Sequence, residues 1–149
     1  PPVPLMARCD RTAVTTVLRN LLVNACKYAP GARQVWSVRD DGGRARVDAH
    51  DEGPGIPAAD LPHVFERFYR GDVARSRAYG SSSERRSPGT ENRGEKTRSR
   101  EEGGSGLGLA IVQGLVQAQG GDVAIASTEG AGTTVTVWLP LAQQGAPPR

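Results

Sequence analysis

The sequence has few of the side chains that build a large core. Among its 149 residues are two tryptophans, three tyrosines and two phenylalanines, and the apolar fraction of 37% is low for a globular domain. Nineteen glycines and eleven prolines add to the same picture. We therefore expect one small domain with generous loops, covering residues 1–140.

Long apolar runs and clustered metal ligands are also missing. No run approaches the ~20 residues of a membrane span, and no signal peptide is visible, so we expect this chain itself to lie outside the membrane. Cys9 and Cys26 are the two cysteines. Because Cys26 falls on the apolar side of a predicted helix, we expect two buried, unpaired thiols rather than a disulfide. His50 and His63 lack nearby ligand partners, which favours structural roles for both.

The positive charge is concentrated in one polar stretch rather than on an ordered face. The net charge is +3, and residues 71–102 hold eight Lys and Arg against six acids. With Tyr79 as the single aromatic side chain there, this stretch does not resemble a nucleic-acid site, and we expect no nucleic-acid partner. Its composition predicts a long mobile loop, either a tolerated insertion or a regulatory segment.

Hydrophobic periodicity predicts helices and antiparallel strands in a simple order. A helix capped by Asp10 or Thr12 ends near Ala29, where Pro30 follows. The later predicted elements are strands at 34–39 and 44–50, a short helix at 58–65, a helix at 107–119, strands at 122–127 and 133–139, a disordered tail at 141–149 and a candidate edge strand at 3–7. This order predicts an α+β two-layer sandwich, with the helices on one face of the sheet.

A polar stripe runs along the first predicted helix beside its apolar face. Asn20, Asn24, Lys27 and Tyr28 share this stripe because they are spaced i, i+4, i+7 and i+8. Asparagine is a poor helix former, its amide oxygen suits Mg²⁺, and lysine suits phosphate. From these residues alone, a solvated helix face remains an equal alternative.

Two glycine-rich segments follow predicted structure. Asp51 ends a predicted strand and begins a loop that contains Gly53 and Gly55. Its carboxylate could accept a hydrogen bond from the amine of adenine. An ordinary tight turn explains this segment as well. The segment 103–109 opens a helix, where free amides attract anions, but it is neither a Walker A loop nor a dinucleotide fingerprint. A flexible hinge is the alternative there.

The order of these pieces resembles the catalytic domain of bacterial sensor histidine kinases. Residues 20–28 are similar to the N box of that family and residues 51–57 to its G1 box. The F box, the G2 box and the last glycine motif correspond to residues 65–70, 104–109 and 130–133. The resemblance implies a Bergerat (GHKL) ATP-binding fold, in which helices pack on one face of a mixed, mostly antiparallel sheet. It also implies that residues 71–102 form the ATP lid.

The resemblance implies a role for each matching residue. Asn24 would bind Mg²⁺, supported by Asn20, while Lys27 contacts phosphate and Tyr28 packs near adenine. Asp51 would accept a hydrogen bond from the adenine amine. The residues that would shape the base pocket or cradle the phosphates are Gly53, Gly55, Ile56, Gly104, Ser105, Gly106, Leu107, Gly108 and Thr133. The residues implied in catalysis are Asn24, Lys27, Arg67 and Arg70.

The resemblance further implies that the phosphorylated histidine lies on a separate dimerisation domain, because neither His50 nor His63 has the family's acceptor context. The partners would be that domain and a response-regulator aspartate, with ATP and Mg²⁺ bound here. The domain would be cytoplasmic and the full-length protein anchored in the membrane. A serine kinase of the anti-sigma-factor type or an ATPase of the same fold is the alternative. The ATPase is disfavoured because Asn20 stands where such enzymes carry a catalytic glutamate.

Overall fold

The computed structural model describes residues 5–70 and 106–142. These form two α-helices, four strands and one short 3₁₀ turn. The elements, in chain order, are α1 (Arg11–Tyr28), β1 (Gln34–Asp40), β2 (Arg44–Asp51), the 3₁₀ turn (Leu61–His63), α2 (Gly108–Ala118), β3 (Asp122–Thr128) and β4 (Gly132–Pro140). The predicted lid at 71–102 and residues 143–149 of the predicted tail lie outside the described residues.

Helix α1 begins where a side-chain cap satisfies its first free amides. Asp10 Oδ1 accepts a hydrogen bond from Ala13 N at 2.7 Å, which satisfies one of the donors that have no partner within the helix. The backbone amide of Asp10 also donates to Gln119 Oε1 at 2.7 Å. The start of α1 is therefore tied to the end of α2, and the two helices form one layer.

The four strands form a single sheet in the order β1-β2-β4-β3. All three pairings between these strands are antiparallel, whereas we expected a mixed sheet. The reason is connectivity, since the two hairpins meet along β2 and β4 and no crossover in the described residues adds a parallel strand. The two-layer α+β fold predicted from the sequence is confirmed.

The core lies between the two helices and the central strand β4. Its buried side chains are Val17, Leu21, Val112, Val116, Val137 and Leu139. Strand β1 contributes none of them, and six of its seven residues are exposed. The helix layer therefore covers the β4 side of the sheet and leaves the helix-facing side of edge strand β1 open.

The opposite face of the sheet carries a network of charges. Asp48 is buried and accepts hydrogen bonds from Arg46 Nε at 3.0 and 3.1 Å and from Thr136 Oγ1 at 2.7 Å. Burial by itself would raise the pKa of the Asp48 carboxyl, but the hydrogen bonds from Thr136 and Arg46 and the charges of Arg46 and Arg39 hold that pKa below its usual value. This carboxylate therefore stabilises the fold as an anion.

Three local predictions were wrong. The helix expected at 58–65 is only a 3₁₀ turn with no side-chain cap, because Pro62 has no backbone N–H to donate to the carbonyl of Ala58, as an α-helix there would require. Cys9 and Cys26 are free but exposed rather than buried. Cys26 lies five residues after buried Leu21, about 140° around the helix, which turns it to the solvent side.

The two ends of the described part of the chain lie side by side. Ala7 forms an isolated bridge with Leu141, and Ala142 N donates to Met6 O at 2.7 Å. The candidate edge strand is thus reduced to a single bridge within the described residues. In the part of the chain that the structure describes, no helix combines the length and apolar character needed to cross a membrane.

Candidate functional site

A cavity opens between α1, the helix-facing side of the sheet and the loop after β2. Its floor consists of two neighbouring cross-strand rows, whose members follow from the strand register. One row, here called the polar row, is Gln34, Asp51, Thr133 and Ser127. The other, the apolar row, is Trp36, Ala49, Val135 and Ile125. Asp51, Thr133 and the whole apolar row line the cavity, which gives it a polar end and an apolar floor.

Asp51 is the last residue of β2 and is held by its own loop. Its Oδ1 accepts a hydrogen bond from Gly53 N at 3.0 Å. A side chain at Gly53 would run into Asp51 Oδ1, 2.7 Å from the added carbon, and into Ala29. The glycine therefore lets the loop close tightly around the carboxylate, while Asp51 continues to line the cavity.

The loop after β2 is fastened to the turn between β3 and β4. Ile56 N donates to Ser127 Oγ at 2.8 Å, and Gly130 N donates to Pro54 O at 2.7 Å. Gly55 has a φ of +73°, and a side chain there would collide with the backbone of Thr128. The G1-like loop and the last glycine motif, far apart in sequence, thus form one wall of the cavity.

The polar stripe of α1 faces the start of α2. Asn24 lines the cavity, and Asn20 Nδ2 donates to Thr16 O at 2.8 Å. A side chain at Gly108, the first residue of α2, would place its first carbon 3.1 Å from Asn24 Oδ1 and 3.4 Å from Asn20 Oδ1. The absence of a side chain at Gly108 therefore brings the two amide oxygens close to the beginning of α2.

Lys27 and Tyr28 contact each other at the end of α1. Lys27 Nζ lies 3.3 Å from the Tyr28 hydroxyl and 4.8 Å from the centre of its ring. Tyr28 lines the cavity, but Lys27 does not. The structure thus places the predicted phosphate-binding lysine beside the cavity, with its ammonium over an aromatic ring.

The segment before the undescribed stretch folds back onto the segment after it. Phe68, with a φ of +65°, donates its amide to Gly106 O at 3.0 Å. Tyr69 lines the cavity, and its hydroxyl donates to Asp60 Oδ1 at 2.6 Å. The Phe68–Gly106 hydrogen bond brings together the described residues on either side of the undescribed stretch 71–105.

Arg70 brings an unsatisfied donor to that side. It lines the cavity, and its Nε is buried with no hydrogen-bond partner among the residues that the structure describes. A buried donor without an acceptor is costly, so the position favours a ligand that supplies acceptor oxygens. Arg67 is exposed and is not part of the cavity lining.

The predicted site residues therefore divide into three groups. Those lining the cavity are Asn24, Tyr28, Asp51, Gly55, Ile56, Arg70 and Thr133. Those in the described part that do not line it are Asn20, Lys27, Gly53, Arg67, Gly106, Leu107 and Gly108. Gly104 and Ser105 lie outside the described residues.

The sequence prediction missed several lining residues. Examples are Trp36, Ala49, Val64, Leu109, Ile125 and Val135. The alternation of each strand placed Trp36, Ala49, Ile125 and Val135 on one face, but only the pairing register shows that they form a single row. Within residues 5–70 and 106–142, no three His, Cys, Asp or Glu side chains cluster to hold a metal ion.

Comparison with known proteins shows the family of this chain. The sequence profile of the family described as Histidine kinase-, DNA gyrase B-, and HSP90-like ATPase matches residues 9–143. The chain is 38% identical over 143 residues to the sensor histidine kinase WalK of Bacillus subtilis (strain 168), covering 94% of this chain and 20% of WalK. It is 38% identical over 132 residues to the sensor-like histidine kinase SenX3 of Mycobacterium tuberculosis (strain ATCC 25618 / H37Rv), covering 88% of this chain and 27% of SenX3. The chain thus spans about a fifth to a quarter of these relatives.

Solved structures share the fold. The mycobacterial sensor histidine kinase MprB superposes with a TM-score of 0.62 at 29% identity, covering 89% of this chain and 72% of that chain. Full-length ShkA in complex with AMPPNP gives a TM-score of 0.68 at 26% identity, covering 98% of this chain and 25% of that chain. The match to the family profile extends from before the start of α1 to beyond the end of β4. The chain therefore belongs to the family of histidine kinase-, DNA gyrase B- and HSP90-like ATPases.

Proposed function

We propose that this chain is the ATP-binding catalytic domain of a two-component sensor histidine kinase. The observation that carries the proposal is the convergence of separate motifs on one cavity. The acidic end of β2, the amide stripe of α1, the arginine before the lid and the last glycine motif all reach it, although they lie up to about a hundred residues apart. The named relatives are sensor histidine kinases, and one related structure holds AMPPNP.

The adenine base is proposed to bind at the junction of the two rows of the floor. The Asp51 carboxylate accepts hydrogen bonds only, so it matches the exocyclic amine of adenine and repels the carbonyl oxygen of guanine. Thr133 lies beside Asp51 in the polar row. Ala49 and Val135 of the apolar row provide a flat, apolar surface for the ring.

The triphosphate is proposed to bind where α2 begins. Amides at the start of a helix attract anions, and Arg70 brings to the cavity a guanidinium donor, Nε, that has no partner within the described residues. Lys27 would reach the phosphates by leaving the Tyr28 ring, which its flexible stem permits. Arg67 is proposed as a further phosphate contact when the lid closes.

The residues present fit a magnesium ion at the same place. An amide oxygen is a hard ligand of the kind Mg²⁺ prefers, and Gly108 leaves open the approach to the amides of Asn24 and Asn20. Asn24 is the proposed ligand, with Asn20 in support. The ion would neutralise charge on the phosphates.

The acceptor of the phosphate is proposed to be a histidine of a separate dimerisation domain. His50 Nδ1 lies 2.9 Å from Thr134 Oγ1, and His63 Nδ1 lies 2.7 Å from Glu66 Oε1, so each histidine here already has a partner. In the transfer, a nitrogen of the acceptor histidine forms a bond to the γ-phosphorus, the bond to the bridging oxygen breaks and ADP leaves. The phosphate would then pass to a response-regulator aspartate. We place the domain in the cytoplasm of a membrane-anchored sensor protein.

Calorimetric titration tests the nucleotide site. We expect this chain to bind ATP in preference to GTP and more tightly with Mg²⁺ than without it. Asp51→Asn should weaken ATP binding about tenfold or more, because a charged hydrogen bond contributes about 1.5–3 kcal/mol. Asp122→Asn removes the same charge from exposed Asp122, which does not line the cavity, and should bind ATP normally. Equal affinity of both variants would contradict the site.

Phosphate transfer tests the reaction. The chain, Mg²⁺-ATP and the dimerisation domain of the same kinase should together yield an acid-labile phosphate on that domain. An acid-stable phosphate would indicate a serine kinase. Release of free phosphate from ATP in the absence of any acceptor would indicate an ATPase, which Asn20 does not favour because an amide cannot serve as a general base.

A further inference from the structure

The cavity has an aromatic side chain that none of the proposed nucleotide roles uses. Trp36 lies on edge strand β1, within the apolar row, and lines the cavity. It is 37% exposed. A partly exposed aromatic side chain that lines a cavity can contact a flat ligand through its ring.

The position of Trp36 in the sheet brings it near the proposed base acceptor. Trp36 pairs with Ala49, whereas Asp51 pairs with Gln34. Trp36 and Asp51 are therefore diagonal neighbours on the same face of an antiparallel pair, a separation of about 7–8 Å that an aromatic side chain can bridge. A planar base hydrogen-bonded to Asp51 would lie within reach of the indole.

The neighbours of Trp36 leave its side chain partly exposed. Its cross-strand partner Ala49 is small and fills little of the space above the floor. The helix layer packs over β4, and no residue of β1 belongs to the core cluster or to the side chains packed against it. Tyr28, at the end of α1, is the other cavity-lining aromatic residue with comparable exposure, at 38%. A flat ligand between α1 and the sheet would cover both.

We infer that Trp36 is a further binding residue that contacts the purine base held by Asp51. This inference rests on the proposed function and adds to it the residue that gives the base pocket its outer aromatic wall. The contact involves the base and not the phosphates. Trp36 lies in the apolar row, next to the polar row that contains Asp51, whereas the proposed phosphate site is at Gly108. Aromatic contact of this kind tolerates any purine, so Trp36 would add affinity while Asp51 selects adenine.

The test separates the base from the phosphates by using two probes, ATP and inorganic triphosphate. Trp36→Ala should weaken ATP binding about fivefold or more, in keeping with base–aromatic contacts elsewhere, and should leave the affinity for triphosphate unchanged. Trp36→Phe should recover most of the loss. Val38→Ala is the matched control, since Val38 shares the strand and the face, is 60% exposed and does not line the cavity.

Fluorescence gives a second readout that does not depend on affinity. The chain has two tryptophans, and Trp138 does not line the cavity. ATP should change the tryptophan emission of the parent chain, and this change should disappear in Trp36→Phe even at saturating ATP.

Three outcomes would overturn the inference. If Trp36→Ala binds ATP within about twofold of the parent while Asp51→Asn loses binding, the base contact is refuted and the nucleotide site stands. If Trp36→Ala weakens ATP and triphosphate equally, its effect is on the fold and the assignment fails. If the parent chain binds no ATP at all, both the proposed function and this inference fall.

Discussion

Two glycines with nearly the same φ angle provide a sensitive test of how the loop after β2 packs in the cavity wall. Gly55 has a φ of +73° and Gly31 a φ of +76°. An added Cβ at Gly31 meets nothing within 4 Å, whereas at Gly55 it collides with the carbonyl of Thr128 and lies 3.0 Å from Glu129 Cα. Replacing either glycine by alanine therefore places an L-residue at a positive φ, but only the replacement at Gly55 also introduces a clash with the backbone.

The expected losses follow from these two terms. A positive φ costs an L-residue about 1–2 kcal/mol, and this cost applies to both Gly31→Ala and Gly55→Ala. Inserting an atom into closely packed structure costs about a further 1–3 kcal/mol, and this second cost applies to Gly55→Ala alone. Because the obstacle is backbone, the clash cannot be relieved by a side-chain rotation.

Urea denaturation measures the difference directly. We expect Gly55→Ala to lower the free energy of unfolding by about 1–3 kcal/mol more than Gly31→Ala. ATP binding should fall in Gly55→Ala, because the Ile56–Ser127 hydrogen bond that fixes the loop at 2.8 Å would be displaced, and should survive in Gly31→Ala. Equal losses of stability in the two variants would refute the close approach of the loop to the β3–β4 turn.

Three further substitutions probe other parts of the structure. Asp48→Asn should lower the free energy of unfolding at neutral pH by about 2 kcal/mol, since Arg46 and Thr136 lose a charged acceptor. The pKa of the Asp48 carboxyl is lower in the folded chain than its ordinary value of 3.8, so the charged carboxylate stabilises the fold at pH values above 3.8. This stabilisation is lost as the pH falls through the lower folded pKa. Urea titrations between about pH 5 and pH 3 should therefore show a weaker dependence of the free energy of unfolding on pH in the variant. Asp10→Ala should cost about 1 kcal/mol by removing the cap of α1, measured by thermal unfolding, with Asp10→Asn as the control that keeps an acceptor. Gly108→Ala should leave the free energy of unfolding unchanged or raise it, because alanine favours helix over glycine by about 0.5–1 kcal/mol. The same substitution should displace Asn24 and so weaken the Mg²⁺ dependence of ATP binding measured by calorimetry. An unchanged Mg²⁺ dependence would argue against Asn24 as the ligand.

Local sequence signals predicted the elements of the fold well. The cap at Asp10 and the stop at Pro30 bracket α1 within a residue or two, because capping and proline act through nearest neighbours. The two hairpins follow from strand alternation and from glycine-containing turns. The predicted helix at 58–65 failed for an equally local reason, since Pro62 removed a backbone donor that the helix needed.

The site was only partly predictable, because its floor depends on register. Alternation places Trp36 on the helix side of β1, but whether it falls beside Ala49 or beside another residue is decided by pairing. The exposure of Cys26 likewise depends on which turn of α1 meets the sheet. Among the residues that line the cavity, Asp51 was predicted from its position at the end of β2, Asn24 from the polar stripe of α1, and Arg70 from the family resemblance.

The most direct measurement of the central claim is a crystal structure of this chain bound to a non-hydrolysable ATP analogue with Mg²⁺. The account predicts that the adenine amine lies within hydrogen-bond distance of the Asp51 carboxylate, that the ring lies over the apolar row, and that the phosphates lie at the start of α2 near Asn24 and Arg70. A nucleotide bound elsewhere, or a base whose amine points away from Asp51, would contradict it.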